Sequence, residues 1–321
     1  MTDTGSATGS WDTYWRGASH AAAFSAGGSS HPVVLSFWDE VFKTPDIRAG
    51  SPRIVDIASG SGAVVESAKS AGEGQVPDFT CVDISASAVG TLQERFPSIQ
   101  TVVADARSIP LQSASFDMAT SQFGVEYAGP QAIDEMLRLI RPSGRIALLL
   151  HHRDGGIYRQ CAASLDAVEK MIAAEFVGKA IAMFKAGFEL HRGGKREPFE
   201  AAAGQFMPAI RTMEAVMKQH GQHVADGTIL RLYRDVRTVH ERLQNYEAQE
   251  VMDWLGGMQG ELDAYVGRMA SMCAAALDAD AFSALAETLK AKGFSLLRAE
   301  ALRVPDRDAV LAWALIATRS C

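Results

Sequence analysis

Cysteine is scarce in this chain, and the scarcity narrows the class of protein. The 321 residues include four cysteines, Cys81, Cys161, Cys273 and Cys321, with no Cys-x-x-Cys pair among them. Four widely spaced thiols match neither a disulfide framework nor the ligand spacing of a zinc site. The sequence therefore predicts no metal site and a reducing, cytoplasmic location.

Long apolar runs and an excess of basic charge are also missing. No stretch approaches the roughly 20 apolar residues that cross a bilayer, and residues 1–10 lack the basic and apolar regions of a signal peptide. The formal net charge is −7, without the basic footprint of a nucleic-acid binder. We therefore expect a soluble protein that binds neither membranes nor nucleic acid.

The most informative feature that is present is a loop of small residues. Residues 53–57 are typical of a buried strand, residues 58–62 (Ala-Ser-Gly-Ser-Gly) form the loop, and a helical pattern begins at Ala63. With almost no side chains, the loop can bring its backbone N–H groups close to a ligand, and the helix N-terminus adds a partial positive charge. Taken alone, the loop also fits an ordinary strand-to-helix turn.

Two further predicted strands each end in an acidic residue. Asp83 follows Gly62 by about 20 residues, and Asp105 follows after a similar interval, the spacing of one βα unit. In a parallel sheet these residues line the edge where ligands bind. A carboxylate accepts two hydroxyls, so Asp83 fits a ribose, and Asp105 with Ala106 fits an adenine edge. Each acid alone also fits a helix or turn cap.

This combination resembles the class I S-adenosylmethionine-dependent methyltransferases, with a rhythm similar to that of ubiquinone and menaquinone methyltransferases. Ala58 stands where the first glycine of the loop is usual, and Ser143 where the second glycine before strand five is usual. Neither adds bulk that would block a cofactor. The further landmarks, in the family's order, are residues 104–110, 115–124, 139–150, 292–302 and 309–319.

The resemblance implies an α/β fold, a doubly wound Rossmann-like sheet of seven strands with an antiparallel last strand. Strand and helix patterns alternate from residue 53 to 151. Helical patterns then replace them over residues 162–186, 199–220, 228–255 and 261–277, with breakers that include Gly256 and Gly257. We therefore expect a large all-helical insertion after strand five.

Four segments follow from this pattern. Residues 1–50 form an N-terminal helical or lid segment, residues 51–154 and 280–321 form the core that binds the methyl donor, and residues 155–279 form a helical cap on the substrate side. A helix is expected to start with Ser30 as its N-cap. The aromatic stretch 11–15 fits either an anchor that docks the chain terminus or a lid over the donor.

The resemblance also implies a cofactor and the residues that hold it. The methyl donor is S-adenosyl-L-methionine, and the product is S-adenosyl-L-homocysteine. Carried over position by position, the cofactor-binding residues are Asp56, Ala58, Ser59, Gly60, Gly62, Asp83, Ile84, Asp105, Ala106 and Gln122.

Methyl transfer from a sulfonium needs no metal, because the leaving group is a neutral thioether. A general base is needed only where the acceptor loses a proton. The adjacent histidines His151 and His152 follow strand five, and side-chain alternation places His152 on the face shared by Leu148 and Leu150. We expect His152 to act as the catalytic base. In the alternative interpretation, the histidines only bond backbone carbonyls.

The residues after strand four offer further polar groups. Glu126 and Tyr127 follow Gln122 and can face the acceptor. His220 and His223 have helical spacing, but Gly221 interrupts the helix, and we predict no metal there.

The predicted function is methyl transfer to an O or N atom of a small molecule or short peptide. The second candidate is C-methylation of a quinone-like or other biosynthetic intermediate. A nicotinamide-dependent oxidoreductase is a rival, but its fingerprint needs a third glycine where residues 63–65 are Ala-Val-Val. A non-catalytic protein that binds the donor is another. The sequence leaves the oligomeric state open, with a homodimer as one option.

Overall fold

The computed structural model describes residues 30–44, 47, 51–305 and 309–320. The aromatic stretch 11–15, expected to be an anchor or a lid, lies outside these residues. The strands are β1 Arg53–Ile57, β2 Asp78–Asp83, β3 Gln100–Val103, β4 Phe116–Gln122, β5 Ile140–His151, β6 Phe294–Val304 and β7 Ala309–Arg319. The α-helices are α1 Pro32–Phe42, α2 Ala63–Ala71, α3 Ala86–Arg95, α4 Pro130–Leu139, α5 Gly156–Ala173, α6 Phe176–His191, α7 Arg196–His220, α8 Thr228–Glu241, α9 Ala248–Ala275 and α10 Ala279–Ala291.

The strands form one seven-stranded sheet in the order β3-β2-β1-β4-β5-β7-β6. Neighbours from β3 to β5 are parallel, and β7 runs antiparallel to both β5 and β6. The predicted Rossmann-like sheet with an antiparallel last strand is therefore confirmed. Because β1 lies between β2 and β4, the carboxyl ends of these three strands meet at one edge.

Both faces of the central strands are covered by helices, and the strands are accordingly apolar almost throughout. One face of β5, with Leu148 and Leu150, packs with Trp313 and with Phe282 of α10. The fully buried Trp38 lies on α1. These central strands are therefore a buried base for the residues at their ends.

The chain divides into two compact units. The sheet unit ends at residue 159 and resumes at residue 271, and the helical unit comprises residues 160–270. The helical unit has a core of its own, to which Phe176, Phe184, Phe206 and Leu232 contribute. None of its residues lies in a strand, so the predicted all-helical insertion is confirmed.

Local boundaries differ from the sequence predictions in four places. The predicted helix over 228–255 is interrupted, because α8 ends at Glu241 and α9 begins at Ala248. Helix α9 runs through Gly256 and Gly257, since burial of Leu255 and Leu262 on either side outweighs a cost of about 1 kcal/mol per glycine. The predicted helix over 162–186 is interrupted at Glu175, which is left-handed with φ 57°. The N-cap of α1 is His31 rather than Ser30.

The change of N-cap has a simple cause. Nδ1 of His31 accepts a hydrogen bond from the backbone N–H of Val33 at 3.2 Å, so an imidazole performs the capping usually given to a hydroxyl. None of the described helices is long and apolar enough to cross a membrane.

Candidate functional site

The loop after β1 curls through left-handed backbone at Ala58, Gly60 and Gly62, with φ of 55°, 51° and 87°. Gly62 is the N-cap of α2, and a Cβ built on it would lie 3.0 Å from the ring of Phe96. The backbone N–H of Ser59 donates to the Val82 carbonyl at 3.1 Å, which joins the loop to β2. Glycine is thus required at Gly62 by both backbone conformation and space.

Asp83, the last residue of β2, holds this loop in place. Its Oδ2 accepts the N–H of Gly60 at 2.8 Å, and its Oδ1 accepts the N–H of Ser85 at 2.9 Å. The carboxyl is buried, and burial raises its pKa. The backbone N–H of Ile84 also bonds this carboxyl, so about one of its four acceptor sites is left for a ligand. The adjacent Ile84 is 36% exposed, an apolar surface at the same strand end.

Asp56 lies inside β1, below the loop. Its Oδ1 accepts the hydroxyl proton of Thr120 at 2.8 Å, and its Oδ2 has no hydrogen-bond partner among the described residues. Burial raises the pKa of Asp56 to about 7, and the charge of nearby Asp83 adds to the shift. Asp56 thus joins β1 to β4. Its predicted contact with the donor stays a prediction.

Asp105 lies two residues beyond the end of β3 rather than at its last position as predicted. Its carboxylate accepts hydrogen bonds from the backbone N–H and the guanidinium of Arg107, with Nε 3.0 Å from Oδ1. Arg107 lowers the pKa of Asp105, which stays ionised. The sequence pattern indicates Asp105 and Ala106 as candidate residues but gives no sign of Arg107. The guanidinium of Arg107 binds the same carboxylate that is expected to bind the adenine.

Gln122, the last residue of β4, is held by α1. Its side-chain oxygen accepts a hydrogen bond from the indole N–H of Trp38, so its NH₂ group is left as the donor end. Two residues further on, Gly124 packs against the loop: a Cβ built there would lie 2.5 Å from the Cβ of Ala58. The end of β4 therefore touches the end of β1.

A buried polar cluster occupies the ends of β4 and β5. Nδ1 and the backbone N–H of His151 lie 2.8 and 2.9 Å from Oε1 of Glu126, which belongs to the 3₁₀ turn Val125–Ala128. The rings of Phe123 and Tyr127 lie 4.7 and 5.6 Å from the imidazole. Oε2 of Glu126 is buried without a hydrogen-bond partner in the part of the chain that the structure describes.

His152 lies on the other face of β5, the face predicted for it. It stacks on Trp313 with ring centroids 4.1 Å apart, and its Nδ1 accepts the N–H of Asp154 at 2.9 Å. Burial lowers its pKa. The structure thus groups His151, not His152, with Glu126. The catalytic role of His152 stays a prediction, but its contacts are those of a packing residue.

The sequence offered only a weak signal for the pairing of His151 with Glu126. Alternation assigns the two histidines to opposite faces, but it does not say which face carries the site. The position of Glu126 in the sequence indicates that it can face the acceptor, but it does not indicate that His151 is its partner. No group of His, Cys, Asp and Glu side chains among the described residues is suited to hold a metal ion.

Comparisons with known proteins bear on the sheet unit. Residues 55–148 match a family model described as a methyltransferase domain. The chain is 35% identical over 98 residues to a demethylmenaquinone methyltransferase of Beutenbergia cavernae, covering 30% of this chain and 39% of that protein. It is 32% identical over 111 residues to a 2-phytyl-1,4-naphthoquinone methyltransferase of Synechocystis, covering 32% and 46%.

Similarity to solved structures is more limited. A methyltransferase from Aquifex aeolicus superimposes with a TM-score of 0.32 and 16% identity, over 38% of this chain and 69% of that one. The chain spans less than half the length of the curated relatives named above. The matched segment, with its glycine loop and acidic strand ends, belongs to the class I S-adenosylmethionine-dependent methyltransferase superfamily.

Proposed function

We propose that this protein transfers a methyl group from S-adenosylmethionine to a small-molecule acceptor. One observation carries the proposal: within the family-matched segment, the buried Asp83 carboxylate binds the N–H of Gly60 and fixes the loop at the ends of β1 and β2. A carboxylate anchored in this way is preorganised, and it keeps acceptor capacity for a ligand.

The residues at this edge fit the donor. The partial positive charge at the N-terminus of α2 suits the carboxylate of the donor's amino-acid end, while the N–H groups of Ser59, Gly60 and Gly62 hold the loop itself together. Asp83 would accept a ribose hydroxyl through its remaining lone pair, and the exposed Ile84 would cover one face of the adenine. Asp105 with Ala106, and the NH₂ group of Gln122, would hold the adenine edge and the remaining polar atoms.

The donor supplies an electrophilic methyl group whose leaving group is a neutral thioether. The protein has to orient the acceptor atom behind that methyl group and keep water out. Correct orientation alone can contribute about 7–11 kcal/mol to lowering the barrier. The close packing of Gly124 against Ala58 supports this role, because it fixes the end of β4 beside the loop.

The acceptor atom divides two versions of the proposal. Transfer to oxygen or nitrogen of a small molecule or short peptide is the version predicted from sequence. Transfer to carbon of a quinone-like intermediate is favoured by the names of the relatives, which concern menaquinone and naphthoquinone. That the helical residues 155–279 act on the substrate side is likewise a proposal, supported by the resemblance.

Calorimetric titration tests donor binding. We expect wild-type protein to bind S-adenosylhomocysteine and not NAD or NADP. Asp83→Asn should weaken binding by about 10- to 150-fold, since a charged hydrogen bond contributes about 1.5–3 kcal/mol. Asp78→Asn is the matched control, because Asp78 lies exposed at the opposite end of the same strand. Failure of wild-type protein to bind the nucleoside would refute the proposal.

Catalysis needs a separate measurement. Incubation with S-adenosylmethionine labelled on its methyl group should transfer label to the small-molecule fraction of a cell extract. Binding of S-adenosylhomocysteine without any transfer would favour the non-catalytic alternative.

A further inference from the structure

The cluster of His151 and Glu126 lies beside the proposed donor site. His151 ends β5, and Glu126 follows β4 by four residues of an ordered turn. Gly124, in the same turn region, contacts Ala58 of the glycine loop. The cluster is therefore joined to the loop through a direct backbone approach within the sheet unit.

Burying this ionisable pair away from water is energetically unfavourable. Both side chains are buried: that of His151 is 0% exposed and that of Glu126 is 3% exposed. Burying a carboxylate is unfavourable unless it is paired and hydrogen-bonded. Here Oε1 of Glu126 receives both His151 contacts, while its buried Oε2 receives none from the described residues. A buried oxygen without a hydrogen-bond partner is uncommon and calls for an explanation.

The geometry also selects one tautomer of His151. A carboxylate only accepts hydrogen bonds, so Oε1 at 2.8 Å places the proton on Nδ1. The neutral ring then has Nε2 as its accepting nitrogen. This is the arrangement of a general base that is oriented by a carboxylate.

We propose that His151, positioned by Glu126, is the base that removes a proton from the acceptor, and that the acceptor is an aromatic or enolic hydroxyl compound. The inference rests on the proposed methyl transfer. The hydroxyl proton moves to Nε2 of His151, and the resulting imidazolium is balanced by the Glu126 carboxylate.

The electron pairs of the methyl transfer are also accounted for. The pair left on the acceptor forms the new bond to the methyl carbon, either from oxygen or, through the conjugated ring, from carbon. In the carbon case, the methylated carbon then loses its hydrogen as a proton and the oxygen regains one, which restores the aromatic ring. The sulfur–carbon bond breaks with its pair on sulfur, which becomes neutral. The proton on Nε2 is later lost to solvent.

Chemistry favours a hydroxyl over an amine. A neutral amine attacks with its own lone pair and loses a proton only afterwards, whereas a hydroxyl is a weak nucleophile until its proton leaves. A preorganised base that is shielded from water is therefore most useful where the acceptor group is a hydroxyl. The flanking rings of Phe123 and Tyr127 suit a flat aromatic acceptor. Such an acceptor also unites the oxygen and carbon versions of the proposed function.

The first test needs no acceptor. ¹⁵N NMR of protein labelled at histidine reports which ring nitrogen carries the proton. We expect the proton of the neutral His151 ring to lie on Nδ1, and Glu126→Gln to shift it toward a mixture of tautomers. The inference would be overturned if the proton lay on Nε2 in the wild-type protein, or if Glu126→Gln left the tautomer unchanged. The exposed His191 of α6 provides the internal control.

The second test follows transfer of labelled methyl groups to 1,4-dihydroxynaphthalene, with 1-naphthylamine and 1,4-dimethoxynaphthalene as comparison acceptors. We expect label on the dihydroxy compound alone. His151→Asn should slow transfer about 10²- to 10⁴-fold, while affinity for S-adenosylhomocysteine changes less than about twofold. Glu126→Gln should slow it less, and His191→Asn should have no effect. His151→Gln replaces His151→Asn where the latter does not fold.

The outcomes separate the two proposals. Loss of donor binding in wild-type protein refutes the proposed function itself. A wild-type protein that binds S-adenosylhomocysteine but leaves the dihydroxy compound unlabelled refutes the acceptor class. Transfer at the wild-type rate by both His151 variants refutes the role of the base.

Discussion

The ends of β1 to β3 and the ends of β4 and β5 form two halves of the same sheet edge, and they are built differently. In the first half, a backbone N–H of the loop binds a carboxylate only one βα unit away, as in the bond from Gly60 to Asp83. In the second, side chains from different elements meet, as Glu126 does with His151. A donor shared across a superfamily can be held by backbone and short-range motifs. An individual acceptor needs side chains, which sequence motifs do not fix.

The two halves touch where Gly124 meets Ala58, and of the changes that test this comparison, breaking that contact should have the largest effect. In Gly124→Ala the new Cβ would lie 2.5 Å from the Ala58 Cβ and 3.0 Å from the Ala58 carbonyl oxygen. Overpacking of this kind costs about 1–3 kcal/mol, so affinity for S-adenosylhomocysteine should fall about tenfold. Thermal unfolding and calorimetry measure both effects.

Two variants sharpen this prediction. Adding Ala58→Gly removes the shorter of the two contacts and should restore part of the affinity. Gly90→Ala is the control, because a Cβ at Gly90 in α3 meets no atom within 4 Å and alanine favours a helix. Equal losses in Gly124→Ala and Gly90→Ala would show that the two strand ends are not coupled.

The second prediction concerns Asp56, below the glycine loop. Its pKa is raised to about 7 in the folded protein by burial, so the folded state holds a proton that the unfolded state releases near pH 4. Free energy of unfolding should therefore decrease as the pH rises from about 4 to about 7, and level off above that. Asp56→Asn should flatten this slope and gain stability relative to wild type above pH 7.

Urea unfolding at several pH values measures how the free energy of unfolding depends on pH in wild type and in Asp56→Asn. Some slope should remain in Asp56→Asn, because burial also raises the pKa of Asp83. An identical pH dependence for both proteins would mean that Asp56 is solvated in solution, contrary to its burial in the structure.

The third prediction concerns the bond between Trp38 and Gln122. Trp38→Phe keeps a ring packed against Phe37 and Phe42 but removes the indole donor. Leaving the Gln122 oxygen without this partner should cost about 1–2 kcal/mol of stability, with a change of a few fold in affinity for the donor product. A double-mutant cycle with Gln122→Met measures the coupling. Additive single effects would contradict the hydrogen bond.

The two halves of the sheet edge also differ in how much of their structure could be predicted from the sequence. Gly60, Gly62 and Asp83 were placed by spacing alone, because parallel strands bring the ends of successive βα units together. The partner of His151 was not, since contact between side chains 25 positions apart in sequence depends on register and on the turn after β4. The continuity of α9 through Gly256 was also missed, because tertiary burial outweighs local propensity.

The smallest expected effect is at Asp105. Arg107→Ala removes the guanidinium that lowers the pKa of Asp105, and a partly exposed ion pair contributes at most about 1 kcal/mol to stability. Freed from Arg107, the carboxylate can accept a hydrogen bond from the adenine amino group, so donor affinity should rise, by less than about threefold. Arg107→Lys keeps the charge but loses the paired guanidinium contacts, and should give a smaller rise. A tenfold fall in Arg107→Ala would instead identify Arg107 as a direct ligand of the donor and would leave Asp105 as its positioning partner.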